Sequence, residues 1–159
     1  MTSSHRRWYG AAAIALVVPA GWALVRLIAE LQATDHPFAM YGARLGLTAA
    51  QLRDDFQLAG EWALATDEVG ALTLTWAPSS VEEADAPSSA IFEFHEGLLV
   101  AMRFRVPSGA SIASGDPLVV VPDAVLHREP LLGGEVEVTV IARNCPTHAE
   151  EVSRLLTER

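Results

Sequence analysis

The sequence predicts an α+β fold: an N-terminal transmembrane helix followed by antiparallel β-hairpins packed with two short helices. Three observations carry this. Trp8 to Val25 is an uncharged apolar run. Period-two alternation of apolar residues recurs at 62–76, 91–105 and 125–142, the mark of strands with one buried face. Two capping-box patterns, Thr48 with Gln51 and Thr147 with Glu150, each open an apolar helical stretch.

The first run follows His5-Arg6-Arg7 and closes with Arg26-Leu27-Ile28. At about 1.5 Å of rise per residue it spans roughly the hydrocarbon core of a bilayer. Trp8 and Trp22 stand near its ends, where interfacial aromatics are favoured, and Arg26 is placed to snorkel to the headgroups. Residues 8–28 are therefore expected to contact membrane lipid. The alternative is a signal peptide with Gly21-Trp22-Ala23 as a poor cleavage site. Both readings put the N-terminus in the cytoplasm. The first three arginines precede every acid, whereas twenty acids face eight arginines from Glu30 onward, so the positive-inside bias sends the remainder across the membrane. The expected division is 1–29 as cytoplasmic tip and anchor, 30–37 as tether and 38–159 as one extracytoplasmic α+β domain.

Charge and cysteine content exclude several classes. A net charge of −9 argues against nucleic acid, whose binding rests on clustered cations. Cys145 is the sole cysteine, so the core holds without an intrachain disulfide. It also lies far from the anchor, which rules out lipidation of the kind found in lipoproteins.

Within the domain, Met40 to Leu45 reads as a short extended lead-in. A helix of about 48–58 follows, with Leu47 and Leu52 as a hydrophobic staple, Phe56 on the same face and Gly60 as its stop. Asp54 and Asp55, adjacent on a helix, point apart and read as a solvated face. Trp62 and Leu64 pair with Leu72, Leu74 and Trp76 as a first hairpin. In the second, a three-residue loop His95-Glu96-Gly97 with a left-handed Gly97 sets Phe94 opposite Leu98 and Phe92 opposite Val100. That register places Leu52, Phe56, Trp62, Leu64, Leu72, Leu74, Trp76, Phe92, Phe94, Leu98, Val100, Met102 and Phe104 in the core. It turns Ile91, Glu93, Leu99, Arg103 and Arg105 to the opposite face, the expected partner-binding surface. Pro107 to Pro117 reads as a linker and Leu118 to Val121 as a short strand. A third hairpin turns at Gly133-Gly134 with Val136, Val138 and Val140 on one face. A helix at about 147–157 closes the chain, apolar at Ala149, Val152, Leu155 and Leu156.

No nucleotide, phosphate-loop or hydrolase motif occurs, and no cofactor is expected. Cys145 and His148 have C-x-x-H spacing, but zinc needs four ligands and no second pair accompanies them. An enzyme or a metal- or thiol-responsive protein would have to draw on His95, His127, Cys145 or His148, and Glu93, His95 and Arg103 would supply acid, base and anion clamp.

Gly46-Leu47-Thr48-Ala49-Ala50-Gln51-Leu52, then Glu61-Trp62, Leu72 to Trp76 and Ile91 to Leu99, resemble the SmpA/OmlA (BamE) type of outer-membrane-assembly domain. That family has a G-[ML]-T-x-x-[EQ]-[VL] helix start, an aromatic strand and a phenylalanine-bearing strand turning at glycine. The β-lactamase-inhibitor modules are similar. The resemblance covers residues 42–104 and implies a non-catalytic protein-interaction module of the bacterial cell envelope with an envelope protein partner. The chain departs from the family in lacking a lipidated cysteine and in adding residues 107–159.

Overall fold

Phe38–Arg159 forms a compact unit by itself, which the computed structural model describes over residues 38–66, 71–79 and 85–157. Its elements are helix α1 (Ala49–Asp55), strands β1 (Gly60–Thr66), β2 (Leu72–Pro78), β3 (Ser89–His95), β4 (Leu98–Pro107), β5 (Leu118–Val120), β6 (Ala124–Pro130) and β7 (Glu135–Ala142), and helix α2 (Ala149–Thr157). The hairpins expected from the alternation merge into one seven-stranded sheet of order β1-β2-β3-β4-β7-β6-β5. All neighbours are antiparallel. Two meanders meet where β7 pairs with β4. Between them, Pro107 to Pro117 is more than a linker, because it forms a 3-10 turn at Ser111–Ala113 and buries Ala110.

The capping box at Thr48 and Gln51 forms in both directions. It satisfies amides that the first turn of a helix leaves free. Leu47 and Leu52 are buried as a staple requires. The helix is shorter than expected and ends when Phe56 turns extended. Gly60 is not its stop but the first residue of β1. A Cβ there would fall 2.1 Å from Nε1 of the Trp76 indole, so only glycine lets the strand approach. The lead-in is likewise not extended. Met40 and Ala43 exchange backbone hydrogen bonds of 2.9 and 2.8 Å around Tyr41-Gly42.

The central hairpin departs most from expectation. Its turn has two residues, Glu96 (φ 53°) and Gly97 (φ 79°), the positive-φ pair of a type I′ turn. His95 pairs with Leu98 and Phe94 with Leu99, yet Glu93 pairs with Ala101. Val100 is therefore an extra residue, a β-bulge. A two-residue turn alone would have put Arg103 in the core. The bulge restores the phase, and Met102 and Phe104 face the core beside Phe92 and Ala90. The exchange falls on the leucines. Leu99 is buried at 1% exposure while Leu98 is 47% exposed. Leu99 thus does not belong to the opposite face, and Leu98 does not belong to the core. Val100 is half-buried.

Each sheet face has its own apolar cluster. On the front, Phe38, Met40, Leu47 and Leu52 pack over Leu74, Trp76, Phe92, Phe104, Val138 and Val140. The Phe92 ring meets Phe56, Trp62 and Phe104 at centroid distances of 5.5–5.6 Å. Such tilted and edge-on contacts add to area burial. This core thins out toward β1, where Leu64, expected inside, is 60% exposed.

On the back, Val152 and Leu155 of α2 pack on Ala101, Val125 and Ile141. This helix is not capped by Thr147. The chain enters through a 3-10 turn, Pro146–His148, with Cys145 at its N-cap position and Pro146 at the first helical position, where proline's fixed φ and missing N–H suit a start. That earlier start puts His148 on the buried side and Ala149 outside.

The bulge is testable by paired truncations. Leu99→Ala is expected to cost about 2–5 kcal/mol and Leu98→Ala about 0.5 kcal/mol or less, read from urea unfolding midpoints. Similar losses for both would contradict the register.

Candidate functional site: the half-covered back face

Strand pairing aligns Ala63, Thr75, Ile91, Arg103, Thr139 and His127 in one row across the back of the sheet. The half formed by β4, β7 and β6 lies under α2. The half formed by β1, β2 and β3 carries small or short side chains, among them Ala63, Thr75 and Ala77. There a groove of about 430 Å³ opens, lined by Glu61, Ala63, Thr75, Ile91, Arg103 and Arg105. A second hollow of about 270 Å³ holds His127, Thr139, Glu151 and Arg154 beside α2.

A charged network marks the border between the two halves. Arg103 pairs with Glu93 of β3 and with Glu151 of α2, donating from one guanidinium nitrogen to both Glu151 oxygens at 2.9 and 3.1 Å. The His148 ring lies between the same two carboxylates, Nδ1 3.3 Å from Glu151 and Nε2 3.4 Å from Glu93. His148 is only 7% exposed. The carboxylate of Glu151 stands in the first turn of α2, where the helix dipole favours it. One guanidinium thus joins two strands and a helix, and the planar fork of arginine suits such shared recognition. Arg105 is freer, with more than half its side chain exposed and Glu137 at 3.5 Å.

Among the expected partner-binding residues, Ile91, Glu93, Arg103 and Arg105 share this face, and Leu99 lies on the other. Glu93 is engaged with Arg103 and with His148 of the turn before α2, and Arg103 with Glu151 of α2, leaving Ile91 and Arg105 as the groove residues outside this network. Sequence reasoning missed Thr75, Ala63 and Glu151, although period two places the first two behind Trp62, Leu74 and Trp76. The pairing of α2 with the sheet has no local signal.

The residues weighed for chemistry separate into three places. Cys145 Sγ lies 3.7 Å from His95 Nδ1, His148 joins the arginine network, and His127 lines the second hollow. The C-x-x-H spacing therefore does not bring its two side chains to one partner. Neither hollow is lined by Cys145 or His95. Among the described residues, no group of three or more His, Cys, Asp or Glu is arranged to hold a metal ion. Trp8, Trp22 and Arg26 of the expected anchor lie outside the described residues. Among those described, no helix is long and apolar enough to cross a membrane.

Fold and site together define an antiparallel sheet module whose front face carries the main core, open only toward β1, and whose back face is half-covered. Comparison with protein-family models, curated proteins and solved structures finds no match.

Removing the arginine tests the clamp. Arg103→Ala leaves Glu93 and Glu151 facing each other across His148. It is expected to destabilise the domain by about 1–3 kcal/mol and to speed amide exchange in α2 more than in β3. Unchanged exchange in α2 would show that apolar packing alone holds the helix.

Proposed function

We propose that this chain is a non-catalytic, membrane-anchored interaction module of the bacterial cell envelope, binding a protein partner on the open half of its back face. The observation that carries the reading is the groove over β1, β2 and β3. It is floored by Ala63, Thr75 and Ile91 and edged by Glu61 and Arg105, an apolar floor with a few polar groups at its rim. Such an arrangement suits side-chain recognition. The apolar run at 8–28, its basic flank and the acidic remainder support single-pass anchoring with the domain outside the cytoplasm. The resemblance of residues 42–104 to the SmpA/OmlA type supports an envelope setting. An anchor would raise the local concentration of the module at the membrane, so a modest groove suffices for function.

Thiol or imidazole chemistry has less behind it. Cys145 is 5% exposed, and its contact with His95 adjoins neither described hollow.

The test is photo-cross-linking in cells from a benzophenone side chain at position 75. A discrete protein adduct is expected, weakened about tenfold or more by Ile91→Glu in the floor of the groove, as for a residue central to an interface, and by a smaller factor by Arg105→Glu at its edge. Ser153→Glu, on the exposed side of α2, should leave it intact. An adduct indifferent to Ile91 and Arg105 would contradict the proposal.

A further inference from the structure

The two edges of the sheet are protected very differently. Strand β5 has three residues, with Pro117 before it and Pro122 two residues after. Shortness and proline are standard means of blocking edge pairing. Strand β1 has seven residues in unbroken register with β2. Its sequence, Gly-Glu-Trp-Ala-Leu-Ala-Thr, contains no proline, no cation and no bulge. Leu64, next to its central Ala63, is 60% exposed, and Trp62 and Leu72 near it are only half-buried. Among the described residues, the front core therefore ends at this edge in the half-buried Trp62 and Leu72 and the exposed Leu64.

We infer that β1 is a self-association edge, pairing antiparallel with β1 of a second copy about a two-fold axis at Ala63. This register pairs all seven residues. It sets Leu64 of each copy beside Trp62 of the other on the front face, which continues the aromatic cluster of Phe56, Trp62 and Phe92 across the axis. Glu61, the strand's only charge, faces Ala65 rather than its own copy, so no like charges meet. A two-fold contact needs such a self-complementary patch. The two sheets become one. On the back, the two grooves run together across the axis, since Glu61, Trp62 and Ala63 line each of them. The inference does not depend on what the groove binds.

Sedimentation of the full chain in mild detergent tests it. The wild-type protein is expected at the mass of a dimer, and Leu64→Lys at half that mass with an unchanged far-UV circular dichroism spectrum. A wild-type monomer throughout the accessible concentration range would overturn the inference, as would a folded Leu64→Lys variant that remains dimeric. The second arm is oxidative cross-linking in a Cys145→Ala background. Ala63→Cys should give a disulfide-linked dimer and Ser153→Cys, on exposed α2, should not. Failure of Ala63→Cys to link, or equal linking by both, would also overturn it.

Discussion

One extra residue, Val100, sets the phase of the whole domain. The two-residue turn at Glu96-Gly97 starts β4 in a register that would direct Arg103 and Arg105 into the core. The bulge shifts the strand by one residue and sends Met102, Phe104 and Val106 to the front and Arg103 to the back. A one-residue slip inverts every side chain of a strand, so losing this bulge would turn Met102, Phe104 and Val106 of β4 out of the core and Arg103 and Arg105 into it. The backbone around it is not left unpaired. Leu99 donates to Leu47 O and accepts from Gly46 N, both at 2.8 Å, so the segment leading into α1 is stitched to β4 beside the irregularity. The bulge thereby places the front cover as well as the core.

The same shift creates the back face. With Ala101 turned backward, a small residue lies where α2 lands, and Val152 and Leu155 can close on Ala101, Val125 and Ile141. Two residues on, Arg103 reaches Glu93 and Glu151 at the border of the helix. Apolar packing holds α2 down and the charged network fixes how far it extends across the sheet. The partners are about a quarter exposed, so solvent screens part of the attraction and the network contributes position as well as energy. Beyond that border the sheet lies open over β1, β2 and β3.

How much of this was legible follows the range of each interaction. The Thr48 and Gln51 box, the staple and the three hairpins rest on contacts near in sequence, and their patterns can be read directly. The central turn is poorly legible because Glu-Gly is a weak signal for type I′ geometry, where Asn-Gly or Asp-Gly would announce it. With alternating apolar residues on both sides, a three-residue loop and a two-residue turn plus a bulge explain the same pattern almost equally well. They differ in which leucine is buried, in whether Val100 is paired, and in a two-residue offset that sets Phe92 opposite Met102 instead of Val100. The capping pattern at Thr147 is misleading for the start of α2, because Pro146 begins the turn before Thr147 can cap it. The candidate surface was half legible. Ile91, Glu93, Arg103 and Arg105 follow from alternation, while their division into bound and free residues depends on α2, which is long-range.

The back face divides into a sealed half under α2 and an open half over β1 to β3. Thiol labelling in a Cys145→Ala background measures this most directly, using Ala77→Cys on β2 and Ala101→Cys on β4. Both positions face the back of the sheet, Ala77 exposed and Ala101 fully buried. Labelling at 77 should proceed at the rate of an exposed thiol. Labelling at 101 should wait for α2 to lift and be slower by orders of magnitude. Comparable rates at the two positions would contradict the division.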